Sequence, residues 1–482
     1  MTSNDDRDIK NHTLCTNCIG DMYLRRIVED KGENRICSYC DRIGQTFLLD
    51  EISERVKVAF KDHFIRTTDE PSPFEYTLLK DKEIEYEWER EGEPTVYAIM
   101  NAADIPEEAA KHVQEILADN HYDFDKAAMG EESDFSQDAY YAEIMPSDEK
   151  WQKEWKDFER TIKSESRFFS SIAADQLNRV FDRIDQMQTR LDQPLIVSAG
   201  PSTELTHFHR ARVFQSDEKL KSALTRPDLE LGAPPTDFAS AGRMNASGIS
   251  VFYGSTDAQI ALAEVRPPIG SQIAVARFEI IRPIQLLDLA ALGQVHESGS
   301  LFDESYAPRL SRMMFLRSLS TRISRPIMPD DQESDYLPTQ VIADFLASEG
   351  KLALDGILFP SVQMNTKGLN AVLFHKAARC EEIQIPEGTE FDASTHSFYE
   401  DEVERDYQVT EIVPEEDLKP DKKQLFNPAY LSLIDDENFN DREITLRIDL
   451  DTVQVHLVNA VKFETSDFMV SRHRLTKEDM PF

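Results

Sequence analysis

The sequence predicts a multidomain α+β protein: a small zinc ribbon, then an all-helical domain, then an α/β domain that ends in further strands. Three observations predict it. Two Cys-x2-Cys pairs lie near the start, and apolar residues recur at three- and four-residue steps from there to about residue 190. After Gln193-Pro194 the apolar residues gather instead in short runs rich in β-branched side chains. A chain of 482 residues is also too long for one hydrophobic core, which favours two to four domains.

The zinc segment, 1–45, rests on Cys15, Cys18, Cys37 and Cys40, with eighteen residues between the pairs. Four thiolates at this spacing come from two tight turns and close a tetrahedral Zn²⁺ site. Such a site leaves no open coordination position, so the expected metal is structural rather than catalytic. The insert between the pairs reads as a hairpin turning near Lys31-Gly32.

Segment 46–192 reads as helical. Leu48, Leu49, Ile52, Val56, Phe60 and Phe64 form one apolar face, and a second helix starts near Ile105-Pro106-Glu107-Glu108. A long third helix is expected over about 149–191, carrying Trp151, Trp155, Phe158, Ile162, Phe168, Leu177, Val180 and Ile184. The α/β domain is placed at 193–395. Its expected strands include 249–253, 272–280, 284–289, 357–359 and 371–374, alternating with helices near 256–265 and 339–348. Residues 396–482 read as an acidic surface excursion followed by two strands, Ile444–Ile448 and Val453–Phe463, packing on that domain.

Composition narrows the functional classes. Against 53 Lys and Arg stand 90 Asp and Glu, a net charge of -37 that disfavours nucleic acid and anionic membrane as partners. No run of 18 or more apolar residues exists, so no transmembrane helix is expected. The start of the chain lacks the apolar stretch of a secretory signal, and the paired cysteines suit a reducing compartment, so the expected location is cytoplasmic.

Three segments of the α/β domain carry chemistry. The first is Phe208-His209-Arg210-Ala211-Arg212. The second runs from Gly242-Arg243-Met244-Asn245 through a strand ending at Tyr253 to a helix with Glu264. The third is Asp355-Gly356-Ile357-Leu358-Phe359-Pro360-Ser361, followed by Gly368-Leu369-Asn370. By residue type alone Glu264 reads as a solvated helix carboxylate, Tyr253 equally as a core aromatic, Ser361 as a turn serine and His209 as a packed or exposed histidine.

In order and spacing these segments resemble the RES domain, a family named for its Arg, Glu and Ser. The resemblance covers about 170–180 residues and places Arg210, Arg243, Asn245, Tyr253, Glu264, Ser361 and Asn370 at the family's polar positions. It implies an ADP-ribosyltransferase-like fold and degradation of NAD at the nicotinamide–ribose bond, some members using inorganic phosphate as the acceptor. It implies catalytic roles for Glu264, Arg210, Tyr253 and Ser361 and substrate-binding roles for Arg243, Asn245 and Asn370. A carboxylate suits an oxocarbenium-like ribose, and forked guanidinium groups suit a pyrophosphate. Met244 and Leu358 stand where the family favours aromatics, and Arg212 competes with Arg210 for the family arginine. The stretch 303–335 reads as a helical insertion, either a lid or packing.

RES domains sometimes follow HEPN-like helical regions, and 46–192 is similar to these. The Arg–His spacing of a HEPN ribonuclease is absent there, so a regulatory, dimerising or sensing role is expected of it. The resemblance also implies a toxin or defence effector restrained by an antitoxin or by its own first half. Two other classes stay open: an ADP-ribosyltransferase acting on a macromolecule, and a non-enzymatic sensor with a degenerate RES domain.

Overall fold

The structure, a computed structural model, describes residues 9–472 apart from 82–85, 123, 125–128, 130–131, 167–169, 326, 349–352, 362, 364–367, 400–401, 415–439 and 463–464. Phe168 of the expected third helix lies outside the described residues. The chain forms two compact units, one of Met1–Leu195 with Ala290–Ile323, the other of Ile196–Leu289 with Ser324–Phe482. Among the described residues no helix is long and apolar enough to cross a membrane.

In the first unit the cysteine pairs sit on a three-stranded antiparallel sheet of Thr13–Cys15, Glu33–Ile36 and Ile43–Leu48. The insert between the pairs is not a simple hairpin. Met22–Lys31 is a helix, because Asp21 caps it by accepting from the Leu24 amide at 2.7 Å and Leu24 and Val28 bury one face. The following helix, Leu49–His63, buries Leu49, Ile52, Val56 and Phe60 as its periodicity predicts.

The expectation of an all-helical 46–192 is corrected. A small antiparallel sheet of Phe64–Arg66, Glu93–Pro94 and Tyr140–Glu143 accompanies the helices Thr95–Ala103 and Glu107–Asn120. The expected long third helix is two, Glu149–Ser164 and Ser171–Val180, the second capped by Ser170 accepting from Ala173. Most of the 303–335 insertion is helical, with Tyr306–Ser324 packed within the first unit by Phe315 against Trp151 and Trp155.

The second unit is built on an eight-stranded sheet. Its strands are β1 (Ile196–Ala199), β2 (His207–Phe214), β3 (Phe252–Ser255), β4 (Gln272–Ile280), β5 (Ile284–Asp288), β6 (Gly356–Pro360), β7 (Leu369–Leu373) and β8 (Leu446–Leu457). The spatial order is β8-β4-β2-β3-β7-β6-β5-β1, and only β5 and β6 run parallel. Three helices matter below: α1 (Asp217–Thr225), α2 (Ala258–Glu264) and α3 (Leu337–Ser348). The two C-terminal strands expected from sequence are one, β8, which pairs with β4 through a register shift between Val275 and Arg277. Part of the acidic excursion is a hairpin, Glu390–Tyr399 with Glu402–Ile412; residues 415–439 lie outside the described residues.

Side-chain alternation in β2 serves two cores. Phe208 and Phe214 join Phe252, Phe278, Ala371 and Leu373 on one face, beneath Leu220 and Ala223 of α1. Ala211 packs with Ile273, Val275 and Ala261 of α2 on the other. Seating α2 against the sheet is what brings Glu264, its last residue, to the ends of β3 and β7.

Candidate active site

Asp257 starts α2 by accepting from the amides of Gln259 and Ile260, so the short helix has a fixed origin two turns before Glu264. The Glu264 side chain is half-buried. Its Oε1 accepts from Ser361 Oγ and from Asn370 Nδ2, each at 2.7 Å. The sheet register supplies both donors: Asn370 lies opposite Phe359 on β6 and Ser255 on β3, and Ser361 directly follows β6. Oε2 has no hydrogen-bond partner among the described residues, so one carboxylate oxygen is anchored and the other is open to a ligand.

The carboxylate faces a cavity of about 290 Å³ whose polar lining includes His209, Arg210, Tyr253, Glu264 and Asn370. Phe359 forms part of the wall, while Leu358 is buried in the sheet core.

Arg210 lies with its guanidinium 4.9 Å above the Phe252 ring, and its Nη1 is buried with no hydrogen-bond partner among the described residues. Burial, aided by Arg212, pushes it down to about 10, which still leaves it cationic at neutral pH. Arg212 instead pairs with Glu230 at 2.9 Å, so the two arginines are told apart by their partners.

Tyr253 Oη donates to Asn245 Oδ1 at 2.9 Å and accepts from the Met244 amide at 3.1 Å, and burial pushes the phenol up to about 12. Asn245 is buried, and its Nδ2 lies within hydrogen-bond reach of the carbonyls of Ser240, Ala246 and Ile249. Its polar atoms are therefore engaged in holding the loop. Gly242 is required at this corner, since a Cβ there would lie 2.6 Å from both Asn245 Oδ1 and Tyr253 Oη.

The loop is clamped again from α3. Gln340 Nε2 donates to Gly242 O at 2.8 Å and Asn245 O at 3.0 Å, and Thr339 Oγ1 donates to Arg243 O and Tyr336 O. Arg243 is half-buried with its guanidinium 5.9 Å over the Tyr336 ring. Burial lowers its pKa, while Tyr336, Tyr253 and Glu264 oppose that shift, so the cation lies within electrostatic reach of the carboxylate. Neither Arg243 nor Asn245 lines the cavity itself.

Sequence reasoning missed Thr339 and Gln340, because polar residues in the first turn of a helix ordinarily read as solvated. It also set aside His209, which the register of β2 places in the cavity wall beside Ser255.

In the first unit the four expected thiols converge. Cys15 Sγ lies 3.8 Å from Cys18 Sγ and 3.5 Å from Cys40 Sγ, and Cys18 and Cys37 are 3.9 Å apart. All four sulfurs lie within 4.8 Å of one another, and none is in a disulfide. A tetrahedron with metal–sulfur bonds of about 2.3 Å has edges of about 3.8 Å, so the cluster fits a Zn²⁺-sized ion.

Compared with protein families, residues 209–396 match the model of the RES domain. That match spans the whole constellation, from His209 through Glu264 to Asn370. Neither the curated proteins nor the solved structures provide a match.

Proposed function

We propose that the RES-matched unit cleaves the bond between nicotinamide and ribose in NAD, with Glu264 stabilising the ribosyl cation. The observation that carries this reading is the divided environment of the Glu264 carboxylate. Ser361 and Asn370 fix Oε1, and Oε2 is left to meet a ribose hydroxyl or the charge developing at its anomeric carbon. As the C–N bond breaks, its electron pair returns to the nicotinamide nitrogen and neutralises the pyridinium. The sugar becomes oxocarbenium-like, the charge that an oriented carboxylate stabilises.

The remaining residues take supporting parts. The cavity, about 290 Å³, is small beside the usual ligand range of about 300–1,000 Å³, and we assign it to the nicotinamide–ribose end of the substrate, where Glu264 must act. Arg210 and Arg243 supply fixed positive charge for the pyrophosphate. Tyr253 lines the cavity while its hydroxyl holds the Arg243 loop; Asn245 and Gln340 act through that same loop.

Cys15, Cys18, Cys37 and Cys40 would hold a structural Zn²⁺ that braces the first unit, since all four positions around the ion are filled by sulfur. Unrestrained degradation of NAD would harm the cell that makes the enzyme. We therefore place the protein among toxin or defence effectors, restrained by an antitoxin or by its own first unit.

The test is product identification: purified full-length protein is incubated with NAD, with and without inorganic phosphate. Free ADP-ribose and nicotinamide mark hydrolysis, and a phosphorylated ADP-ribose that appears only with phosphate marks phosphorolysis. Label on a macromolecule would favour a transferase. Intact NAD with folded wild-type protein in every condition would oppose the reading.

A further inference from the structure

The cavity beside Glu264 holds four side chains able to carry or exchange a proton, and three are committed. Glu264, anchored at Oε1, turns its other oxygen to the ribosyl cation in the proposed reaction, Tyr253 is tied to Asn245 and Met244, and Arg210 is a lasting cation. His209 is the fourth. It lines the cavity, is half-buried, and has no hydrogen-bond partner on either ring nitrogen among the described residues.

Its surroundings are set by the sheet. On β2 it lies opposite Ser255 of β3 and Arg277 of β4, and its ring meets His207 edge-on at 5.3 Å. Arg277 is paired with Asp449 of β8. The Asp257 carboxylate at the start of α2 lies within electrostatic reach of it and accepts two helix amides. Glu264, Tyr253 and Arg210 share the cavity. Burial first, then His207 and Arg277, lowers the His209 pKa against the opposing pull of Asp257. The imidazole is therefore neutral at physiological pH and free to accept a proton.

We propose that His209 is the general base of the reaction, taking the proton of the water that attacks the ribose. This rests on the NAD reading. The C–N bond to nicotinamide breaks and its electron pair leaves on the ring nitrogen. The water oxygen bonds to the anomeric carbon, and its proton passes to His209 and then to solvent. Nicotinamide, ADP-ribose and one proton result.

The experiment compares the full-length wild type with His209→Gln and His209→Asn, both checked for folding by circular dichroism. Nicotinamide release is followed in buffer alone and with azide, a nucleophile that needs no deprotonation. A positioned base contributes about 10²–10⁴-fold. Hydrolysis by the variants is expected to fall by at least about 100-fold, while azide restores release to within a few-fold of wild type and gives ADP-ribosyl azide. The wild type is expected to lose hydrolysis on an acid limb below the ordinary histidine range, and the variants to lack that limb. Equal loss of the azide reaction, or hydrolysis within about twofold of wild type, would overturn the assignment. A wild type that releases no nicotinamide with either acceptor removes the NAD reading, and the base with it.

Discussion

Replacing Asn370 with Ala removes one of the two donors that fix Glu264. The bond is short, 2.7 Å, and its acceptor is a carboxylate. Hydrogen bonds to charged groups contribute about 1.5–3 kcal/mol. If that energy serves to hold the carboxylate in its reactive orientation, its loss lowers kcat by about 10- to 150-fold. Ser361 donates to the same oxygen at the same distance, so Ser361→Ala is expected to fall in the same range. The effects should not add. With one donor gone the carboxylate keeps a tether, and with both gone it rotates freely, so the double variant should lose more than the product of the single losses. The assay is steady-state nicotinamide release, with thermal unfolding measured in parallel because Asn370 is only 4% exposed. The reasoning is refuted if both single variants stay within twofold of wild type while Glu264→Ala is inactive. The carboxylate would then need no holding.

Three further outcomes follow from the geometry. Gln340→Ala removes two donors from the Arg243 loop, each contributing about 1 kcal/mol, and should raise KM for NAD more than it lowers kcat. Gln340→Glu should be worse, because a carboxylate would face two carbonyls. Tyr253→Phe should alter the alkaline limb of stability, measured by urea unfolding against pH. The folded phenol titrates at about 12 against an ordinary 10.0, so its contribution is complete below pH 10 and is lost as pH rises through 12. The variant should lack that share of the loss. Chelation of zinc, or Cys18→Ser, should expose the segment 13–48 to protease while leaving the second unit folded, as metal analysis with limited proteolysis would show.

The fold was legible where one physical signal dominated. The Leu49–His63 helix follows from its apolar spacing, and β4 coincides with the expected strand 272–280. Met22–Lys31 was misread because the Lys31-Gly32 turn signal was followed, while the Asp21 cap and the Leu24–Val28 spacing that set the helix went unread. The three short strands within 46–192 pair residues distant in sequence, Phe64 with Glu143 and Glu93 with Tyr141 for instance, and no local pattern reports such a pairing. In the site, residue order brought Glu264, Ser361 and Asn370 to attention, yet not their bonds to one another. The loop clamp was hidden for the same reason: Gln340 and Gly242 meet across 98 positions. His209 was set aside because a histidine between Phe208 and Arg210 carries no signal until the sheet register shows which face it occupies.

The central claim is that Glu264 in its cavity breaks the nicotinamide–ribose bond, and the most direct measurement is nicotinamide release by wild type and Glu264→Gln at saturating NAD. Glutamine keeps the size and can still accept from Ser361 and Asn370, but it carries no charge to stabilise the ribosyl cation. The account expects rapid release by wild type and a loss of at least about 100-fold in the variant, with NAD affinity changed by no more than a few-fold. Equal rates in two equally folded proteins would contradict it.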